Sequence, residues 1–261
     1  MSGTKNLNQF LDNFSELERK IECGYIPDDV AYKLDIFART DLANGVLSLF
    51  SSFNNLNPYL DTPSELFIVS NSISDTFDVF IDYIDQDRNR KTKTITLTGT
   101  TPISLGSDIY CVFRMINNGS VDQVGTNVYI TTNATGVPAN ASEIYSEMVV
   151  TSGVPANISL TSFYSIPIGY TGFVTKAYIN VEKGGDVKAA LFTRPENGVF
   201  RFVKGLESFQ SQAMVTNMFD RIKEKTDLRP IAIAQTGAIT YVDYTVLVIS
   251  NEYLNNYTGG I

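Results

Sequence analysis

Lys91-Thr92-Lys93-Thr94-Ile95-Thr96-Leu97-Thr98 alternates without a break, with threonine at every even position. Just upstream, Phe77, Val79, Ile81 and Tyr83 alternate with the polar Asp78 and Asp82. Successive side chains of a strand point to opposite faces, so a period of two marks a pleat with one buried face and one wet face. Asp85-Gln86-Asp87-Arg88-Asn89 between the two runs is rich in turn formers and predicts a reversal from strand 77–84 into strand 91–98.

The same reading extends outward to Glu65 and Ser250. A strand over 109–116 places Ile109, Cys111, Phe113 and Met115 on one face, and Asn117-Asn118-Gly119 turns it toward 126–131. Further on, strand 173–182 reverses at Gly184-Gly185 into 187–194, and Glu196-Asn197-Gly198 leads to Phe200-Arg201-Phe202. In the last strand Val242, Tyr244, Val246 and Val248 alternate with Thr245, Leu247 and Ile249, so both faces are apolar and the strand is expected to be central. The fold class is mainly β: antiparallel β-sandwich or jelly-roll-like domains preceded by an N-terminal amphipathic helix and an extended arm. Thr135-Gly136-Val137-Pro138-Ala139-Asn140-Ala141-Ser142 is the best boundary. It divides a first sandwich over 64–134 from a second over 143–261, with residues 1–63 as helix and arm.

Leu7, Phe10, Leu11, Phe14, Leu17 and Ile21 draw one apolar stripe on a helix running from about Asn6 to Glu22, with Gly24 as its stop. The stripe has two readings. It covers an end of its own β core, or it is a docking and self-association surface, since the spacing also fits a short coiled-coil seam. Residues 25–63 show little periodicity but carry Leu47, Leu49, Phe50, Phe53 and Tyr59, which fits a strap laid over a surface.

Composition narrows the chemistry. The chain of 261 residues has no histidine and no tryptophan, which removes His-based nucleophile activation, most transition-metal sites and indole sugar platforms. A formal charge of −8 argues against nucleic acid as a partner. Arg88, Arg90, Lys91 and Lys93 form a small basic patch whose plain reading is a charged, solvated hairpin edge. No apolar run is long enough for a membrane span, and the start MSGTKN lacks a leader's apolar core, so no membrane partner is expected and synthesis in a cytoplasm is. Cys23 and Cys111 read as unpaired thiols. Asp85-x-Asp87-x-Asn89 opens like a calcium loop, but Arg90 stands where glycine is needed and Thr96 where a bidentate glutamate belongs. No metal, cofactor or catalytic residue is assigned.

One order of segments resembles a known family. Ile68-Val69-Ser70-Asn71-Ser72-Ile73-Ser74-Asp75-Thr76 is followed by Thr94 to Pro102, by Phe113-Arg114-Met115 and by Gly125-Thr126-Asn127-Val128-Tyr129-Ile130. Tyr164 to Phe173, Phe192-Thr193-Arg194-Pro195 and Val199-Phe200-Arg201 complete it. Over about 65–250 this resembles a family of virion structural proteins of tailed bacteriophages, frequent in marine podoviruses and myoviruses. The resemblance implies a non-enzymatic capsid decoration or cement protein in the virion, or a tail or neck adaptor that attaches fibres. Its partners would be the major capsid protein or tail and neck proteins, with homo-oligomerisation, as a trimer for preference. From another class, a host-glycan-binding module would use the loop tips 117–121 and 195–198.

Overall fold

The computed structural model describes residues 15–49, 51, 55–119, 126–151, 154–155, 157–183, 185–208 and 214–257. In chain order, β1 is Ala31–Leu42, β2 Ser48–Leu49, β3 Leu66–Ser70, β4 Asp78–Asp85, β5 Arg90–Thr96 and β6 Ile103–Gly106. Next come β7 Ile109–Asn117, β8 Asn127–Thr131, β9 Ile144–Thr151, β10 Val154–Pro155 and β11 Tyr164–Ser165. The last are β12 Tyr170–Lys183, β13 Val187–Pro195, β14 Arg201–Ser208, β15 Met214–Ile222, β16 Thr226–Ala234 and β17 Ala238–Ser250. Helix α1 covers 15–22 and α2 covers Asn251–Tyr257.

Two of the sheets form a jelly roll. One runs β1-β17-β12-β15, and the other runs β11-β16-β13-β14 with β2 also on β16. Nearly every connection crosses from one sheet to the other, the double Greek key of that architecture. Strand β17 lies between β1 and β12 as its two apolar faces require, with Val242, Val246 and Val248 in the jelly-roll core. Leu247 and Ile249 point outward and are covered by Leu17, Ile21 and Ile26.

The second sandwich is an insertion between β2 and β11. It pairs β10-β9-β8-β3-β6 with β5-β4-β7 around Leu66, Ile68, Ile81, Val112, Met115 and Ile130. Strand β7 serves both cores. Val112 and Met115 face the insert's core, whereas Tyr110, Cys111 and Phe113 belong to the jelly-roll core. Register shifts between Asp82 and Tyr83, and between Ile84 and Asp85, break the alternation and turn Cys111 and Phe113 away from the face of Ile109 and Met115.

Several sequence expectations are corrected here. The boundary at 135–142 falls inside a sheet, because β8 pairs with β9 from Asn127↔Val149 to Thr131↔Ile144. The strap supplies β1, whose register runs from Ala31↔Ile249 to Leu42↔Ala238, and β2. Charged residues alternate along β1 at Lys33, Asp35, Arg39 and Asp41, but its inward positions Leu34, Ile36 and Ala38 are buried. The expected hairpin of 173–182 with 187–194 does not form, since β12 and β13 lie in different sheets. The turn at 117–119 likewise leads out of one sheet and into another. Turn residues license a reversal but do not choose the partner strand, which the buried faces decide.

Helix α1 stops as expected. Gly24 is left-handed (φ +70), Tyr25 N–H donates to Lys20 O at 2.9 Å and Gly24 N–H to Ile21 O at 3.0 Å. That pair of bonds is a Schellman cap, which needs a residue free of the Cβ penalty. Deleting residues 1–24 should therefore leave a cooperatively folding β body that is less thermostable, because Leu247 and Ile249 lose their cover. Deleting 1–60 removes β1 and β2 and should abolish cooperative unfolding in calorimetry and circular dichroism.

Candidate functional site

The β4–β5 hairpin drives into the jelly roll. Its turn is closed by Asp85, whose carboxylate accepts Asn89 N–H at 2.7 Å and whose own N–H donates to Asn89 O at 2.9 Å. This places Arg88 at the tip in the left-handed region (φ 68) with its side chain buried. Arg88 donates from Nη1 to Asp227 Oδ1 at 2.8 Å and to Ser165 Oγ at 2.9 Å, and its guanidinium lies 3.5 Å from the centroid of the Tyr110 ring. Ile168 N–H donates to the Arg88 carbonyl at 2.8 Å.

Asp227 on β16 is 1% exposed and collects donors from both sandwiches. Besides Arg88, its carboxylate accepts Tyr110 Oη at 2.8 Å and Arg194 Nε at 2.9 Å. Arg194 continues outward to hold Asp61 through two bonds of 2.8 Å. The four charged groups sum to zero, so the network is neutral. A second pair, Arg90 on Asp82, is bidentate at 3.0 and 2.6 Å, with the guanidinium 4.2 Å from the Tyr32 ring centroid. Tyr32 and Tyr164 share a hydroxyl hydrogen bond of 2.6 Å. The patch read as a solvated hairpin edge is thus split: Arg88 is a buried ion-pair partner, Arg90 a half-buried one, and Lys91 stays exposed. Asp82, read as an alternate wet position, is buried because its face of β4 meets the jelly roll.

Each buried acid has a structural partner. Asp75 accepts Ser70 Oγ at 2.5 Å, Glu147 accepts Asn127 Nδ2 at 3.1 Å, and Asp82, Asp85 and Asp227 are held as above. Burial pushes the Tyr32 hydroxyl up to about 12, and pushes Tyr59, Tyr164 and Tyr244 upward in the same way. Tyr110 rises through burial first and the Asp227 charge second. Phenols held this way keep their protons throughout the neutral range.

Of the stripe residues, Leu17 and Ile21 are buried at 3% and 8% exposure against Phe173, Leu247 and Ile249. Leu7, Phe10, Leu11 and Phe14 lie outside the described residues. The loop tip at 195–198 is a tight turn, with Asn197 left-handed (φ 57) and Gly198 N–H on Pro195 O at 2.9 Å. Glu196 there pairs with Lys225 at 3.2 Å, and beside the turn Val199 and Phe202 are exposed. The tip at 117–119 is held by Gly119 N–H on Asn117 Oδ1 at 2.8 Å, by Asn118 N–H on Asp78 O at 2.8 Å and by Asn117 Nδ2 on Asn157 Oδ1 at 3.1 Å. Cys23 is exposed and Cys111 buried, both free. Among the described residues no group of three or more metal-ligating side chains comes together, and no helix is long and apolar enough to cross a membrane. Sequence reasoning missed the Asp227 network. Its only signal was that charged residues occur inside apolar strands, as in Thr226-Asp227-Leu228-Arg229-Pro230-Ile231.

No family model and no curated protein matches the chain. Solved structures that resemble it include the top component of cowpea mosaic virus, at 11% identity over 70% of this chain and 82% of that one, with a TM-score of 0.21. The infectious bursal disease virus Gt strain gives 11% identity over 90% and 76%, with a TM-score of 0.25. TmCBM61 in complex with beta-1,4-galactotriose gives 18% identity over 33% and 58%, with a TM-score of 0.23. Viral capsid proteins thus appear among its weak structural neighbours, at a level that assigns neither family nor function.

Two outcomes follow from the buried network. Asp227→Ala strands two guanidiniums and should cost about 3–5 kcal/mol, read as a lower midpoint in urea. Alkali should act through the tyrosines. The unfolded chain releases their protons from about pH 10, whereas the folded chain holds them to about 12 at Tyr32 and beyond at the others. The unfolded state then binds fewer protons, so stability is full below pH 10 and falls as pH rises above it. Tyrosinate absorbance should show a late class of hydroxyls that titrates together with loss of circular dichroism.

Proposed function

We propose that the chain is a non-enzymatic structural component of a tailed-phage virion, a decoration or cement protein bound to the capsid exterior through the major capsid protein. The observation that carries the reading is the use of its buried charge. Among the described residues every interior acid has a structural partner, and Asp227 joins Arg88 and Tyr110 of the insert to Arg194 of the jelly roll, holding the two sandwiches as one block. The segment order over 65–250 adds the phage type. The jelly roll supports an assembly role through its edges: among the described residues β1 and β14 each have one side without a partner strand, which closed symmetry with other copies would cover. A homo-oligomer follows on this reading, a trimer for preference, with Leu7, Phe10, Leu11 and Phe14 as the docking part of the stripe. A tail or neck adaptor is the same chemistry at a different site in the particle.

Copy number separates the two. Quantitative mass spectrometry of purified virions should find hundreds of copies for a capsid protein. A count of about six to eighteen would move the protein to the tail or neck. Phe10→Ser with Phe14→Ser should leave the sheets intact by circular dichroism and reduce incorporation. Normal incorporation of the double variant would remove the stripe from the assembly mechanism.

A further inference from the structure

Strand β5 is an edge. It pairs with β4 from Asp78↔Thr96 to Ile84↔Arg90, and among the described residues no strand lies on its other side. Asp85 N–H donates to Asn89 O at 2.9 Å, and Leu97 N–H donates to Phe77 O at 3.0 Å. Both bonds belong to one alternating antiparallel series, so the ladder to β4 falls on the odd-numbered residues of β5. The N–H and C=O groups of Thr92, Thr94 and Thr96 therefore point away from β4. None of these six backbone groups has a partner among the described residues, and all three threonines are exposed.

We propose that this edge receives an extended acidic segment of another protein as an added strand, an inference that does not rest on the virion reading. Charge complementarity carries it. The chain is net −8, yet this strand is basic. Arg90 is taken by Asp82 at 3.0 and 2.6 Å. Lys91 is exposed, and Lys93 Nζ donates to Leu105 O at 3.3 Å, but neither lysine has a carboxylate partner among the described residues. Both stand at odd positions and share a face, so an added strand meets them with Asp or Glu at two alternate positions. Ile95, on the same face and packed against the insert's core, takes an apolar residue at the next alternate position. Main-chain bonds to the three threonines supply affinity, and the alternate side chains supply choice.

A second copy of the chain fits this edge less well. Pairing β5 with β5 gathers four lysines on one face, and like charges across a ladder are unfavourable. Lysine on an edge strand keeps similar strands away, and an acidic strand turns the same charges into attraction. The edge is also preorganised. Arg88 on Asp227 and Arg90 on Asp82 fix the start of the hairpin, so little of β5 remains to be ordered on binding.

Fluorescence anisotropy of the full chain with the labelled peptide Thr-Val-Thr-Glu-Thr-Glu-Thr tests this, beside the same peptide with both glutamates replaced by lysine. The acidic peptide should bind saturably and less well as salt rises. The lysine peptide should bind at least about tenfold more weakly. Thr94→Pro removes the central donor at a place an edge strand tolerates, and should abolish binding while circular dichroism stays unchanged. Lys91→Glu with Lys93→Glu should reverse the preference to the lysine peptide, and this reversal decides alone if Thr94→Pro disturbs the fold. Failure of the acidic peptide to bind at millimolar concentration overturns the proposal, as does binding that ignores charge or survives Thr94→Pro in a folded chain. If Thr94→Pro instead lowers the sedimentation coefficient of the chain alone, the edge joins copies of this chain and the acidic partner is wrong.

Discussion

A carboxylate removed from water must be surrounded by donors, and Asp227 is the group that imposes this on the whole chain. It is reached by Arg88 from the insert and by Arg194 from its own sandwich, with Tyr110 of the insert completing the shell. Each ion costs several kcal/mol to desolvate, so the arrangement repays itself only when all the bonds form together. The insert cannot tilt without stranding a charge. This also accounts for Arg88 in a left-handed conformation, an unfavourable state for a side chain that long. The turn around it is closed by Asp85 and Asn89, and the side chain is locked at its far end.

Around that point the apolar packing follows. Ile84, Tyr110, Cys111 and Phe113 of the insert join Tyr32, Leu34 and Tyr164 of the jelly roll in one core, with Phe113 edge-on to Tyr164 at 4.7 Å. The returning chain then seals the free side of β7. Ser159 N–H donates to Met115 O at 2.8 Å, Asn117 N–H to Asn157 O at 2.8 Å, and Thr161 Oγ1 to Phe113 O at 2.8 Å. Arg114 reaches the exposed edge of β1 and donates to Asp35 O at 3.1 Å. An inserted domain would ordinarily swing on its two linkers. Here ion pairs, a shared core and a covered edge all oppose that motion.

The strands were legible because period-two alternation is a local property. The hairpin over 77–98, the central placement of β17 and the stop at Gly24 all follow from residues a few positions apart. What was not legible depends on separation along the chain. Nothing near Ala31–Leu42 announces a partner some two hundred residues later in β17, and nothing in Thr135 to Ser142 tells a loop within a sheet from a linker between domains. The bulges of β7 hide Cys111 and Phe113 in the same way, since a strict alternation would have put both with Ile109 and Met115. Charge misled most where it was buried. Arg88 and Asp82 look like surface in sequence and become interior only because a second sandwich closes over them.

With these contacts in place the jelly roll and its insert form one cooperative unit. Differential scanning calorimetry of the unmodified chain tests this most directly, through the ratio of calorimetric to van't Hoff enthalpy. A single transition with a ratio near one is the predicted result. Two resolved transitions, or a ratio near two, would mean that the sandwiches unfold independently and that the Asp227 network does not hold them together.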